Sequence, residues 1–284
     1  MKINDKKNLL NIDLSDKIAI VTGGDRGIGR EIVAVLAKCG AIIFMACRHP
    51  ENDRSENYGD EAGEFIDRGL EVHPISVDVT SQESVDKMVR EIISKYGRID
   101  ILVNNAGVLG ASGWENRQEE NDEDWEMNYQ VNLRGLARAT QAVVPYMKQA
   151  KYGKIINIAS NAGRGGNKDH IPSAYGATKA AVINLTQTNA LDLAPYNINV
   201  NCVCPGIIWT PMLEIIGARL SALSGETKGL TPEEVFAWQA KTRVPLGRGQ
   251  TGEDVGNMTA FLVSELAKNI TGQSINVNGG IRMN

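Results

Sequence analysis

The sequence predicts a doubly wound α/β fold: a mostly parallel sheet with helices on both faces and a helical lid over the strand ends. Three observations carry this. Short apolar runs of strand length recur at residues 17–22, 41–46, 72–77, 99–103, 155–159, 197–203 and 274–277. Between most of them lie stretches with apolar residues at helical spacing, and such alternation builds parallel sheets through crossover helices. The first run also passes straight into a glycine turn, Gly23-Gly24-Asp25-Arg26-Gly27-Ile28-Gly29, that opens a helix.

Length and composition narrow the possibilities further. At 284 residues, 42% hydrophobic and 23% charged, a chain buries about 75% of its unfolded surface and needs no staples. Residues 1–15 read as a polar arm, and residues 16–284 as one domain with the lid near 210–245. A formal net charge of -4 with mixed signs throughout argues against a nucleic-acid or membrane-surface partner. The N-terminal residues hold no long apolar run and do not read as a signal peptide, and no later stretch has the length of a membrane span. Cys39, Cys47, Cys202 and Cys204 form no Cys-x-x-Cys pair, and His49, His73 and His170 are scattered. We therefore expect no metal site, no disulfide and a reducing cytoplasmic setting. Cys202 and Cys204, two apart, should face one side of a strand as small core residues.

Each element follows from its own residues. After the glycine turn, Ile28, Ile32, Val35, Leu36 and Cys39 recur at helical spacing, with Gly40 as a C-cap. Glycines at a strand-to-helix turn let the backbone approach a pyrophosphate, which the helix start attracts through its free N–H groups and dipole. The spacing is Gly-x-x-x-Gly-x-Gly, which alone suits a plain tight turn as well as a nucleotide site. The second strand completes a βαβ unit, and the position after it is where a dinucleotide fold reads the adenosine ribose. That position holds Cys47 and then Arg48, with Arg26 inside the glycine turn. An acid there would bond the 2′-hydroxyl of NAD(H), whereas two guanidiniums suit the 2′-phosphate of NADP(H). We expect NADP(H) in preference to NAD(H).

Residues 49–59 form a polar loop before a helix around 61–68. The third strand leads to Asp78 and Val79, and an amphipathic helix over 84–96 buries Val85, Met88, Val89, Ile92 and Ile93. The strand at 99–103 ends in Asn104-Asn105-Ala106-Gly107, a small-residue corner at the strand end where such sheets hold ligands. The acidic run at 115–126 admits a metal site, but the dipole of the helix it starts explains it as a solvated face. That helix carries Trp125, Val131 and Asn132 and runs past Leu136 to Met147. A buried asparagine there must be hydrogen-bonded, as structural glue or in a relay. Ser160 ends the strand at 155–159, a glycine-rich loop follows at 161–167, and the helix at 175–193 opens with Tyr175-Gly176-Ala177-Thr178-Lys179. Positions i and i+4 share a helix face, so the phenol and the ammonium lie side by side. Free tyrosine titrates near ~10 and lysine near ~10.4. An ammonium beside the phenol favours the phenolate and lowers its pKa, suiting it to pass a proton to or from an alcohol or ketone oxygen. The sixth strand ends at Pro205-Gly206. Residues 210–245 break the alternation with two short helical stretches, and a helix at 253–264 precedes the last strand.

Together, Thr22-Gly23-x-x-x-Gly27-Ile28-Gly29, Asn104-Asn105-Ala106-Gly107, Asn132, Ser160, Tyr175-x-x-x-Lys179 and Pro205-Gly206 followed by Thr210 resemble the short-chain dehydrogenase/reductase family. The likeness covers about residues 16–283. It implies a Rossmann-type fold, a small-molecule substrate, and reversible hydride transfer between NADP(H) and a secondary alcohol or ketone. It implies that Tyr175 is the acid/base, that Ser160 holds the substrate oxygen, and that Lys179 lowers the tyrosine pKa while bonding the nicotinamide ribose. Asn132 would hold a water linking Lys179 to solvent. Asp78 and Val79 would border the adenine, Asn105 the adenine ribose side, and Ile208 and Thr210 the carboxamide. Gly23, Arg26, Gly27, Ile28, Gly29, Arg48, Ala106, Gly107 and Pro205 would complete the cofactor contacts. A homotetramer is implied as well. Two features depart from the family: Asn278-Gly279-Gly280 where relatives often have Asp-Gly-Gly, and the long 49–59 loop. A narrower alternative is a 3-oxoacyl thioester on an acyl carrier protein, for which Arg164, Lys168 and Arg243 suggest a basic patch. Leu109, Arg164, Ile171, Trp209 and Met212 are candidates for selectivity. The alternative from another class, a nucleotide-binding regulator without catalysis, is opposed by the intact set Asn132, Ser160, Tyr175 and Lys179.

Overall fold

Every predicted strand forms in the computed structural model, which describes residues 12–48, 62–117, 119–166, 173–222 and 225–284. The strands are β1 (Ile18–Thr22), β2 (Ile42–Cys47), β3 (Val72–Ser76), β4 (Ile101–Asn104), β5 (Gly153–Ile158), β6 (Ile198–Pro205) and β7 (Ser274–Val277). They make one sheet in the order β3-β2-β1-β4-β5-β6-β7, and every neighbouring pair is parallel. Strand order reverses between β1 and β4, which opens a crevice beyond their carboxyl ends.

The helices are α1 (Gly27–Lys38), α2 (Gly63–Asp67), α3 (Gln82–Tyr96), α4 (Asp122–Asn128), α5 (Leu136–Ala150), α6 (Ser173–Leu193), α7 (Pro211–Ala222), α8 (Pro232–Arg243) and α9 (Gly252–Val263). Strand side chains alternate between the two faces. Ala19, Val21, Ile43, Met45 and Val103 pack with Ile32 and Leu36 of α1 and Val255 and Leu262 of α9. Ile18, Ile20, Phe44, Leu102 and Ile155 pack with Val85, Met88 and Ile92 of α3 and Val143 and Met147 of α5. Burial on both faces is why β1, β2 and the body of β4 read as unbroken apolar runs. Helices α1 and α9 approach closely because Gly256 has no side chain: a Cβ there would lie 2.7 Å from Val35 Cγ2.

Three expectations need adjustment. The helix expected through Trp125, Val131 and Asn132 to Met147 is interrupted, since a π-helical segment, Tyr129–Gly135, joins α4 to α5. Gly135 there rests on Val79, and a Cβ would stand 2.8 Å from Val79 Cγ2. The helix expected at 61–68 is one short turn, α2. Leu14, assigned to the polar arm, is buried in the α1/α9 core. The two helical stretches expected in the lid are α7 and α8. Residues 1–11 of the arm, residues 49–61 (the polar loop and His49), and Lys168, His170 and Ile171 lie outside the described residues. Among the described residues no helix is long and apolar enough to cross a membrane.

Candidate active site

At the strand-order switch, two turns lock together. Thr22 Oγ1 accepts the N–H groups of Asn105 at 3.0 Å and Ala106 at 3.1 Å. The Asn105 amide donates to the carbonyls of Thr22 at 3.0 Å and Gly23 at 2.8 Å. Asn105 thus ties the end of β4 to the glycine turn. Gly23 and Gly27 have φ of 61° and 55°, the left-handed region that glycine tolerates. A Cβ at Gly29 would lie 1.9 Å from the Gly23 carbonyl oxygen. Helix α1 begins here with no side-chain cap from Arg26 and no acid in its first turn, so its first N–H groups are left for an anion. This cradle fits the pyrophosphate of a dinucleotide. Thr210 hangs over it, its Cγ2 3.5 Å from where a Gly27 Cβ would be. Ile208 is buried and bridged to Gln250. At the far end Arg48 is exposed beyond β2, its carbonyl accepting the Ser76 hydroxyl at 3.3 Å. Arg26 is also exposed, 4.0 Å from the Asp25 carboxylate. Asp78 bonds the Thr80 N–H at 2.8 Å and hydroxyl at 2.7 Å, and Val79 is buried.

Tyr175 and Lys179, one turn apart on α6, are both buried. Lys179 Nζ donates to the Ile158 carbonyl at 2.8 Å and lies 5.5 Å from the Tyr175 ring centroid. Gly163 admits α6 this closely: a Cβ there would be 2.6 Å from the Lys179 carbonyl carbon. Ser160, at the end of β5, lies near enough to the Tyr175 hydroxyl to draw its pKa down; its own hydroxyl donates to Asn161 Oδ1 at 3.2 Å and accepts the Ala162 N–H at 3.1 Å.

The electrostatics differ from the expectation that Lys179 lowers the tyrosine pKa. Burial pushes the Tyr175 phenol up; Ser160 pulls it partly back and Cys204 adds to the rise. Burial lowers Lys179 to about 8, against the opposing charges of Cys202 and Cys204. In each case desolvation of the charged form is the largest cause. Cys202 and Cys204 do face one side, their sulfurs 3.9 Å apart. Their contact lowers Cys204, with Arg164 and Lys179 adding to the effect, and raises Cys202. Both are fully buried in the apolar cluster of Leu136, Ala159 and Val182, as small core residues.

The buried Asn132 side chain is hydrogen-bonded through both its oxygen and its amide, as its burial requires. Its Oδ1 accepts the Val108 N–H at 2.8 Å, and its amide donates to the Val108 carbonyl at 2.9 Å and to Asn128 Oδ1 at 2.7 Å. The π-helical segment that carries it is a local widening often found at functional sites. The acidic run is not simply a solvated face either. Asp124 is fully buried and accepts from the N–H groups of Ala111 at 2.8 Å and Asn121 at 3.1 Å, and from Arg117. Burial raises its pKa, but these donors outweigh it and hold the carboxyl below the usual range. Glu120 accepts the first two N–H groups of α6, from Ser173 at 2.6 Å and Ala174 at 3.0 Å. The Asn121-x-x-Asp124 spacing signals the first arrangement as a helix cap; nothing local signals the second.

Leu109, Trp114, Ala162, Tyr175 and Ile216 form one apolar cluster with Met212 against it. Arg219 of α7 stacks over Trp114 at 4.7 Å and donates to its carbonyl at 3.1 Å, pinning the lid to the β4–α4 loop. Trp209 meets Phe236 edge-on at 5.6 Å. Of the basic candidates, Arg164 donates to the Ser274 carbonyl and Arg243 lies 4.9 Å over Trp238.

Comparison with known proteins gives the same direction. The family model described as short chain dehydrogenase matches residues 17–220. The 3-oxoacyl-[acyl-carrier-protein] reductase of Thermotoga maritima is 36% identical over 270 residues, 94% of this chain and 98% of that one. The enzyme of the same name from Aquifex aeolicus is 36% identical over 272 residues, 96% and 100% of the two chains. L-sorbose reductase from Gluconobacter frateurii, solved with NADPH and L-sorbose, gives a TM-score of 0.82 at 30% identity, covering 97% and 100%. A variant of actinorhodin polyketide ketoreductase with NADPH gives 0.82 at 33% identity, covering 94% and 97%. A family match over most of the chain, and likeness to reductases along their whole length, make one conclusion plain: the chain belongs to the short-chain dehydrogenase/reductase family, oxidoreductases on a Rossmann-like sheet that bind nicotinamide cofactors.

Proposed function

We propose that this protein reduces a ketone to a secondary alcohol with NADPH, and runs the reverse with NADP⁺, Tyr175 exchanging the proton. The observation that carries the reading is a buried phenol near buried Ser160, with buried Lys179 one turn on, beside a dinucleotide cradle. A bound nicotinamide cofactor supplies or accepts the hydride. The chain's residues do the rest. Gly23, Gly27, Ile28 and Gly29 hold the pyrophosphate at the start of α1, with Ala106 and Gly107 alongside. Asp78 and Val79 border the adenine, and Pro205, Ile208 and Thr210 border the carboxamide. Arg26 and Arg48 take the 2′-phosphate, and the two NADPH complexes among the structural neighbours support that choice. Lys179 bonds the nicotinamide ribose. Asn132 keeps the Gly107–Val108 corner in place, and any water relay past it cannot use its amide hydrogens, which are already bonded.

Ser160 donates to the carbonyl oxygen and Tyr175 delivers the proton as that oxygen becomes an alkoxide. A phenol raised by burial is protonated at neutral pH, so reduction finds its acid ready while oxidation must first remove a proton. The same resemblance supports one catalytic domain over residues 16–284 and a homotetramer.

A 3-oxoacyl thioester is the second reading, favoured by the names of the two bacterial relatives and by the apolar cluster at Tyr175. The test is nicotinamide absorbance with NADPH over a panel of simple ketones, ketoses and 3-oxoacyl thioesters, free and carrier-linked, for wild type and Tyr175→Phe. General acid catalysis contributes about 10²–10⁴-fold, so the variant should lose turnover on that scale and still bind NADPH. Retention of more than about a tenth of wild-type turnover would overturn the assignment of Tyr175.

A further inference from the structure

We propose that Glu120 is a positioning residue for Tyr175, acting through the first turn of α6. This rests on the reading of Tyr175 as the proton donor. Ser173 and Ala174 are the first two residues of α6, and Tyr175 is the third. The first N–H groups of a helix have no partner within it. Here both belong to one carboxylate: Glu120 Oε2 takes Ser173 at 2.6 Å and Oε1 takes Ala174 at 3.0 Å. Such charge-assisted bonds are stronger than neutral ones, and the helix dipole favours an anion at this end.

Glu120 stands beside a closed helix cap. It directly precedes Asn121, the N-cap of α4, whose side chain accepts the Asp124 N–H at 3.0 Å while the Asp124 carboxylate accepts the Asn121 N–H at 3.1 Å. Asp124 also grips Ala111 and Arg117, so the β4–α4 loop is closed on itself. That loop supplies Leu109 and Trp114 to the cluster containing Tyr175. One loop thus holds the start of α6 twice, through apolar side chains in the cluster that includes Tyr175 and through Glu120 at the two residues before it. Without the carboxylate the first turn is free to fray, and the phenol loses its fixed placement against Ser160.

A misplacement of about 1 Å can cost up to roughly 10²-fold in rate. Glu120→Ala should therefore lower kcat about tenfold or more while KM for NADPH stays unchanged. Glu120→Gln keeps one acceptor oxygen and should fall between alanine and wild type. In a double-mutant cycle, adding Glu120→Ala to Tyr175→Phe should cost little more, because both act through one hydroxyl. Wild-type kcat in Glu120→Ala with only a lower Tm, or losses that add in full on Tyr175→Phe, would show a merely structural cap. If the alanine variant does not fold, Glu120→Gln decides, and wild-type kcat there overturns the proposal. An active Tyr175→Phe would instead overturn the assignment of the tyrosine, so the two failures are distinct.

Discussion

Lys179 is a cation enclosed by the fold, with the Ile158 carbonyl as a hydrogen-bond acceptor, so its protonation is tied to stability. Burial takes its pKa from 10.5 to about 8. Below the lower value both folded and unfolded chains carry the proton, and the fold bears the full cost of the buried charge. Between the two values the folded chain releases the proton and the unfolded chain keeps it, so stability rises with pH. Comparing denaturant midpoints of wild type and Lys179→Met across that interval isolates the effect. The difference should move toward wild type by up to about 3 kcal/mol; a constant difference would contradict a lowered lysine pKa. Arg48 allows a separate test, because only NADP(H) carries a 2′-phosphate. Arg48→Ala should reduce kcat/KM for NADPH about tenfold at low salt and leave NADH nearly unchanged. Equal losses would assign the arginine another role. At this scale the sequence discloses identities better than partnerships. The spacing of Tyr175 and Lys179 places them together, but the sign of the phenol shift depends on burial, which adjacency does not reveal. Glu120 reads as one more surface acid because its partners lie 53 and 54 residues away.

Among the elements, the turn into α1 has the least tolerance. At Gly29 an added methyl meets the Gly23 carbonyl, so Gly29→Ala must open the turn that shapes the cradle. Overpacking of this kind typically costs about 1–3 kcal/mol, and Tm and NADPH affinity by fluorescence titration should both fall. Gly166→Ala is the control, since a Cβ there meets nothing within 4 Å, and it should leave both unchanged. A Gly29→Ala protein with wild-type affinity would mean that the anion is held elsewhere. Strands β1, β2 and β4 were legible because burial on both faces leaves them almost wholly apolar. The π-helical segment was not, because over Tyr129–Gly135 a single extra residue per turn barely disturbs the spacing of apolar side chains. The two lid helices were legible as helices, but their attachment through Arg219 and Trp114 was not, since a cation over an indole leaves no periodic trace.

For the molecule as a whole, alternation of strand and helix predicts a parallel sheet, and the glycine turn marks which strand end faces the ligand. Individual residues do not dictate the strand order; it follows from the handedness of βαβ crossovers and the reversal that creates the crevice. That order has a consequence for the history of each newly made chain. Strand β1, buried along its whole length, lies between β2 and β4. The Ile18 N–H finds the Asp100 carboxylate only 82 residues later. As the polypeptide emerges, β3, β2 and β1 can assemble into a three-stranded half-sheet while the second edge of β1 stays open, apolar and unpaired. Non-local parallel pairing is slow to form, and open apolar edges invite association with other chains. The centre of the finished sheet is therefore, during synthesis, the surface that depends most on the rest of the chain arriving in time.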